Sequence, residues 1–398
     1  MQLSNKALNI QASPIRKLVP LANTAKAAGK HVYHLNIGQP DIETPAEMMK
    51  VYAEFDQKVL AYGPSQGLAF YRKNLVEYYS RYNIQLNEDE IIVTTAGSEA
   101  CFFAMMAVCN PDDEIIIPEP FYTNYNGFAT WAGVKIAPLT TKAENGFALP
   151  SDADITKQIN PKTRAIMICN PGNPTGAVYS REDLQRLAKI VKEHNLFLIS
   201  DEVYREFIYD GDVHTSILTL PEISDRAIVV DSISKRYSAC GARIGCIISH
   251  NKVLMAALLK FAQARLCPPT LEQYAANACI VLQEEYFAGI LAEYQSRRDL
   301  VFAALQEIDD VICIKPKGAF YIIAKLPVTD AEDFVKWMLL DYSVNNETVM
   351  VAPAAGFYAT KGLGKDEVRI AYVLNSDDLQ KAMKIFKSGL QEYLKVNK

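Results

Sequence analysis

Through the middle of the chain, short apolar runs rich in β-branched residues alternate with longer stretches whose apolar positions recur at helical spacing. That alternation predicts a mostly parallel sheet with helices on both faces. The runs EIIVTT (90–95), EIIIPE (114–119), RAIMIC (164–169), LFLIS (196–200), AIVVDS (227–232) and IGCIIS (244–249) read as strands. Between the third and fourth, SREDLQRLAKIVKEHN reads as a helix with Ser180 as its N-cap. One long helical stretch is expected from Leu271 to Ile308. After it, GAFYIIAKL and EVRIAYVL read as strands and LQKAMKIFKSGLQEYL as a last helix. The pattern predicts an α/β protein of two domains. Residues 45–297 form the larger, a mostly parallel sheet flanked by helices, and residues 1–44 with 298–398 form a smaller α+β domain.

The unusual residues cluster just after strand ends. AGSEA follows the first strand, PFYTNY the second, NPGNPTG the third, DEVY the fourth and ISKRYSACGAR the fifth. Open α/β sheets bind ligands at the carboxyl ends of their strands. Five polar or glycine-rich signatures at five such ends therefore describe the rim of one pocket, and a cleft between two domains is a common setting for it.

Composition narrows what that pocket can serve. The chain has 398 residues and a net charge of -5, with no basic cluster, which argues against a nucleic-acid partner. The longest apolar run, Ala100 to Cys109, is shorter than the roughly 20 residues a bilayer requires. The start, MQLSNKALNIQ, lacks the basic-then-apolar pattern of a secretory signal. Eight cysteines lie scattered without a C-x-x-C pair, and five histidines without an H-x-x-x-H pair. Free thiols in a reducing cytoplasm are expected, and no metal site.

The rim residues point to a particular chemistry. Gly97 and Ser98 open a helix after a strand, where unpaired amides attract phosphate. Neither the Walker pattern nor G-x-G-x-x-G at a strand end is present, which counts against nucleoside triphosphates and dinucleotides. Asp201 ends a buried strand; alone it fits a helix cap as well as a carboxylate that keeps a ring nitrogen protonated, with Tyr204 offering its phenol to the same ligand. Lys235 stands among serines and glycines, where an amine can condense with an aldehyde. Arg243, Ser232 and Ser234 would ring a phosphate on that aldehyde compound. Phosphate, aldehyde and basic ring nitrogen in one molecule describe pyridoxal 5′-phosphate.

Seven motifs in order then resemble the fold-type I, class I/II aminotransferases, of the aspartate aminotransferase kind. They are IGQPDIETP (37–45), YGPSQG (62–67), NPGNPTG (170–176), SDEVY (200–204), SKRYSACGARIG (234–245), PKGAFY (316–321) and EVRIAY (367–372). The resemblance implies that Lys235 bonds to the cofactor aldehyde and shuttles the proton, and that Asp201 pairs with the pyridine nitrogen. It implies that Tyr204 and Asn173 donate to the ring oxygen and that Tyr122 stacks on the ring. Ala96, Gly97, Ser98, Ser232 and Arg243 would form the phosphate cup. Tyr62 would reach a neighbour's phosphate across a homodimer interface. Arg369 would grip the substrate α-carboxylate, assisted by Asn173 and the Gly38 backbone, under a mobile segment containing Ile15. Arg265 aligns with a loop that reaches the partner's site and would receive a distal carboxylate. The implied reaction is ping-pong transfer of an amino group from an L-amino acid, aspartate-like, to a 2-keto acid such as 2-oxoglutarate. Aromatic or alanine transamination, or C–S lysis on the same scaffold, are the alternatives. Ala96 and Ala242 depart from the glycine and the aromatic residue that many family members carry at these positions.

Overall fold

The structure, a computed structural model, describes residues 1–282 and 284–396. Twelve strands are defined among them: β1 (His31–His34), β2 (Ile91–Thr95), β3 (Glu114–Glu119), β4 (Lys135–Thr140), β5 (Thr163–Cys169), β6 (Phe197–Asp201), β7 (Ala227–Ser232), β8 (Ile244–Ile248), β9 (Tyr321–Lys325), β10 (Glu347–Met350), β11 (Ala352–Pro353) and β12 (Glu367–Ala371). Seven of them form one sheet in the order β2-β8-β7-β6-β5-β3-β4. β8 runs antiparallel to both of its neighbours, and the other adjacent pairs are parallel. All six expected strands of this region are present.

Both faces of the sheet are covered, which explains why its strands read as unbroken apolar runs. Successive residues alternate between two cores: Ile116, Ile166, Leu198 and Val229 enter one, and Ile117, Met167, Ile199 and Val230 enter the other. The helix Arg181–Glu193 covers the first face with Leu184, Leu187, Ala188 and Val191. It starts as expected: the Ser180 hydroxyl accepts from the Asp183 amide at 3.1 Å, and Asp183 accepts from the Ser180 amide at 3.2 Å.

Two features differ from the sequence expectation. β4, KIAPLT, extends the sheet by an edge strand; its half-exposed faces and Pro138 hide the usual strand pattern. The long helical stretch is two helices, Thr270–Ala278 and Glu284–Gln306. The interruption falls where the chain changes cores. Ala275, Ala276, Cys279 and Ile280 pack against the sheet, whereas Ile290, Tyr294 and Val301 enter a third core.

That third core joins the two ends of the chain. Leu18, Ala22, Val32 and Leu35 pack there with Phe334, Val349, Ile370 and Phe386. β1 pairs in parallel with β10, and β11, β12 and β9 make an antiparallel sheet of three. The helix Glu284–Gln306 is continuous through residues 297 and 298. No helix among the described residues is long and apolar enough to cross a membrane.

Beneath the carboxyl ends of β6 and β7 lies a buried ionic network. Arg236 bonds through Nε to Glu206 at 2.7 Å and through its terminal nitrogen to Asp231, while Arg205 holds Glu202 at 2.6 Å. Tyr79 donates to Asp231 at 2.6 Å and Tyr78 to Glu206. The two guanidiniums lie 4.7 Å and 4.2 Å over the Tyr79 and Tyr78 rings, respectively for Arg205 and Arg236. Burial raises the Asp231 pKa, but Arg236 and Arg205 outweigh it and hold the carboxyl below its ordinary range. Arg236 belongs to the short helical turn Ile233–Arg236, so the same bonds pin the backbone of Lys235. Arg236→Ala removes the cation bonded to two buried carboxylates and is expected to cost about 3–5 kcal/mol, read from urea unfolding at pH 7.

Candidate active site

At the carboxyl edge of the sheet the chain encloses a cleft of about 590 Å³. Its walls come from strand ends of the large sheet, from Ser13–Arg16 and Ile37–Gln39 near the N-terminus, and from Tyr321 and Arg369 of the small sheet. Among the residues expected at a site, Lys235, Asp201, Tyr204, Ala96, Gly97, Ser98, Tyr122, Asn173, Ser232, Arg243, Gly38, Arg369 and Ile15 all line it. Tyr62 and Arg265 do not. Tyr62 is 82% exposed on the surface. Arg265 lies beside Glu99, with 3.4 Å between Nε and the carboxylate, and donates to the Val93 and Ser65 carbonyls at 3.1 and 3.3 Å.

Local geometry makes the cup at one end. The helix Ala96–Val108 begins directly after β2, and no side chain caps its first turn. Ala96 and Arg243 both take left-handed backbone conformations, at φ 61° and 55°. Gly245 permits this crowding, because a side chain there would press on the Ala96 carbonyl carbon and the Asp231 carbonyl, each 2.6 Å away. The Ser232 hydroxyl lies 2.8 Å from that of Ser234 and donates to the Ile244 carbonyl at 2.9 Å. Arg243 stands exposed at the mouth, steadied by a 3.0 Å bond to the Cys240 carbonyl.

Asp201, at the end of β6, is buried. Tyr125 donates to one carboxyl oxygen at 2.7 Å and the Val203 amide to the other at 3.3 Å. Burial nevertheless outweighs both bonds and pushes its pKa up to about 6. A cation facing this carboxyl would restore its charge. Lys235 extends its amine toward the opposite wall, where Nζ donates to the Gly38 carbonyl at 2.8 Å and lies 3.5 Å from Cys240 Sγ.

Arg369, on β12, is the most constrained charge in the cleft. It donates to Asn173 Oδ1 at 3.0 Å and to the Asn36 carbonyl, and its guanidinium lies 4.5 Å over Tyr321 and 4.9 Å over Phe357. It is buried, its Nε is unsatisfied, and no described carboxylate pairs with it. Burial accordingly lowers its pKa from the ordinary arginine value. Asn173 donates in turn to the Tyr204 phenol at 3.4 Å, which lies 2.9 Å from that of Tyr321. Gly38 is required here: any side chain would overlap the Tyr321 phenol.

Sequence reasoning missed Tyr125, Tyr321, Asn36 and Arg16. Tyr125 and Tyr321 stood inside quoted motifs, three residues beyond Tyr122 and at the end of PKGAFY, but their partners lie 76 and 117 positions away along the chain. Arg16 adjoins Ile15 and lines the same cleft.

Comparison with known proteins agrees with this architecture. A family model described as aminotransferase class I and II matches residues 30–386. The aspartate aminotransferase of Pyrococcus abyssi is 33% identical over 401 residues, covering 98% of this chain and 99% of that protein. The aromatic-amino-acid aminotransferase 2 of Thermococcus litoralis is 31% identical over 401 residues, with the same coverage of 98% and 99%. A solved structure of an alanine aminotransferase from Pyrococcus furiosus matches with a TM-score of 0.89 at 31% identity, over 98% of this chain and 100% of that one. The chain belongs to the class I and II aminotransferases. It is an enzyme, an aminotransferase dependent on pyridoxal 5′-phosphate.

The residues present fit that cofactor. An uncapped helix start, two serine hydroxyls and Arg243 supply donors and charge for a phosphate. The strained-up carboxyl of Asp201 suits a protonated ring nitrogen, and an amine able to bond an aldehyde lies in the same cleft.

The Asp201 carboxyl loses its proton near 3.8 when unconstrained and near 6 in the fold. The folded chain therefore holds the extra proton, and stability falls as pH rises through this window, by about 2–3 kcal/mol. In protein stripped of cofactor, Asp201→Asn is expected to remove that decline, measured as the unfolding midpoint between pH 4 and pH 7.

Proposed function

We propose that this enzyme transfers the α-amino group of an L-amino acid, aspartate-like in kind, to a 2-keto acid such as 2-oxoglutarate in a ping-pong cycle. The observation that carries the reading is Arg369: a buried guanidinium with an unsatisfied nitrogen and no carboxylate partner among the described residues, lining the same cleft as the Lys235 amine. The α-carboxylate common to amino and keto acids supplies the missing partner, as a charge-assisted pair. The amino acids for which the relatives are named, aspartate, aromatic amino acids and alanine, share this carboxylate and differ in the side chain.

In this reading Lys235 would bond the cofactor aldehyde, Asp201 would hold the ring nitrogen, Tyr204 and Asn173 would donate to the ring oxygen, and Tyr122 would cover the ring. Ala96, Gly97, Ser98, Ser232 and Arg243 take the phosphate. The bound cofactor supplies an electron sink for the carbanion formed at the substrate Cα. Arg369 and Asn173 orient the substrate by its carboxylate, and Gly38 keeps the floor flat so that the Tyr321 phenol can approach. Once the substrate amine has taken its place on the aldehyde, the released Lys235 Nζ would carry the proton away from Cα in one half-reaction and bring one back to Cα in the other. Ile15 and its neighbours exclude water from above.

Residues 45–297 serve as the unit that holds the cofactor, and residues 1–44 with 298–398 as the unit that brings Arg369 and Ile15 over it. Val59, Leu60 and Tyr62 are 74%, 62% and 82% exposed in one short stretch. A second copy of the chain covering them would bring Tyr62 to the neighbour's phosphate. The eight free thiols suit a reducing cytoplasm.

The test is a panel of amino donors with 2-oxoglutarate, alongside a visible absorbance band lost on borohydride reduction with the label on Lys235. Transfer from no donor would overturn the reading. Arg369→Lys keeps the charge but loses the fork, so kcat/KM is expected to fall about 100-fold for every donor. Sedimentation should give about twice the chain mass of 44.3 kDa; an active monomer would remove the shared-site arrangement.

A further inference from the structure

The ionisable residues lining the cleft do not balance. Arg16, Lys235, Arg243 and Arg369 stand against the single carboxyl of Asp201. The proposed chemistry assigns most of them. Lys235 bonds the aldehyde, Arg243 faces a phosphate, Asp201 faces the ring nitrogen, and Arg369 takes the α-carboxylate. Arg16 is left over, and no described carboxylate pairs with it.

We infer that Arg16 receives the second carboxylate of a dicarboxylic substrate. The inference rests on the aminotransfer reading above and names its substrate class. The cation expected for this task, Arg265, lies beside Glu99 and outside the cleft of its own chain, with one terminal nitrogen donating to two carbonyls.

The backbone carrying Arg16 is held in place by its neighbours, and the Arg16 side chain itself is exposed. Pro14 packs so closely on Gly356 that a side chain at that glycine would overlap the proline ring. Ile15 packs with Phe357, Ala352 and Ile323. The Ile15 carbonyl accepts from Asn36 Nδ2 at 3.2 Å, and the Asn36 carbonyl accepts from Arg369. The segment carrying Arg16 is thus fastened to the residue that would hold the α-carboxylate. Lys17, the next cation, is bonded away to Glu332 at 2.8 Å and does not compete. Gln39 and Asn124 line the cleft as well and offer neutral donors beside the charge. An amino acid gripped by Arg369 with a carboxylate on its side chain matches the cleft in charge; an apolar side chain leaves Arg16 without a partner.

The test is calorimetric titration of the cofactor-loaded enzyme with two unreactive acids, succinate and butyrate, for the wild type, Arg16→Gln and Arg16→Lys. Arg16→Gln is expected to weaken succinate by about 10- to 100-fold, the size of one lost charge-assisted pair, and to leave the butyrate affinity within about twofold. Arg16→Lys should recover much of the succinate affinity. Equal weakening of both acids, or no change in either, overturns the inference, since a merely structural role predicts no difference between them. Specificity should follow: kcat/KM for aspartate or glutamate falls relative to alanine or phenylalanine in Arg16→Gln. A wild-type protein that transfers no amino group would sink the functional reading alone, because the titration does not depend on turnover.

Discussion

Two arginines, three acidic side chains and two tyrosines are sealed beneath the end of the sheet, and the position of Lys235 depends on them. Burying ions is costly unless each is met by opposite charge and by hydrogen bonds. Here Arg236 spans Glu206 and Asp231, so the turn that carries Lys235 is tied to β7 on one side and to the segment after β6 on the other. Tyr78 and Tyr79 come from the helix Ala69–Ser80 and add one hydrogen bond each, to Glu206 and Asp231. A flexible lysine side chain thereby leaves a backbone that has almost no freedom.

Above this rigid base the cleft is built from groups in electrostatic need. Asp201 sits where its charge is disfavoured, Arg369 where its charge has no counterpart, and the amides opening the helix Ala96–Val108 have no cap. Each deficit is defined by burial and each invites a particular complement: a cation, a carboxylate and a phosphate. The site is therefore legible as an outline of what it holds, with the protein supplying the inverse of each charge.

Much of this could be read along the chain. Strands buried on both faces appear as continuous Ile and Val runs, and the polar signatures after them stand out by contrast. β4 escaped because an edge strand needs no apolar face and tolerates Pro138. The interruption after Ala278 escaped because Ile280 suits a helix as well as it suits the sheet core; only the presence of two separate cores decides between them. In the cleft, Lys235, Asp201 and Arg369 sit in motifs with unusual neighbours. Tyr125, Tyr321 and Asn36 work by touching other side chains, and such contacts across long sequence separations have no local signature. Arg16 could be noticed only once all the charges of the cleft were placed together.

The links Ile15–Asn36–Arg369–Asn173–Tyr204 run from the N-terminal segment to the heart of the cleft. A guest that engages Arg369 acts on every member of this chain, whereas a guest without an acid group engages none of them. Simple amines such as those left by decarboxylation would leave a naked guanidinium beside them. Selection against such amines is thus written into the same few hydrogen bonds that hold the roof in place.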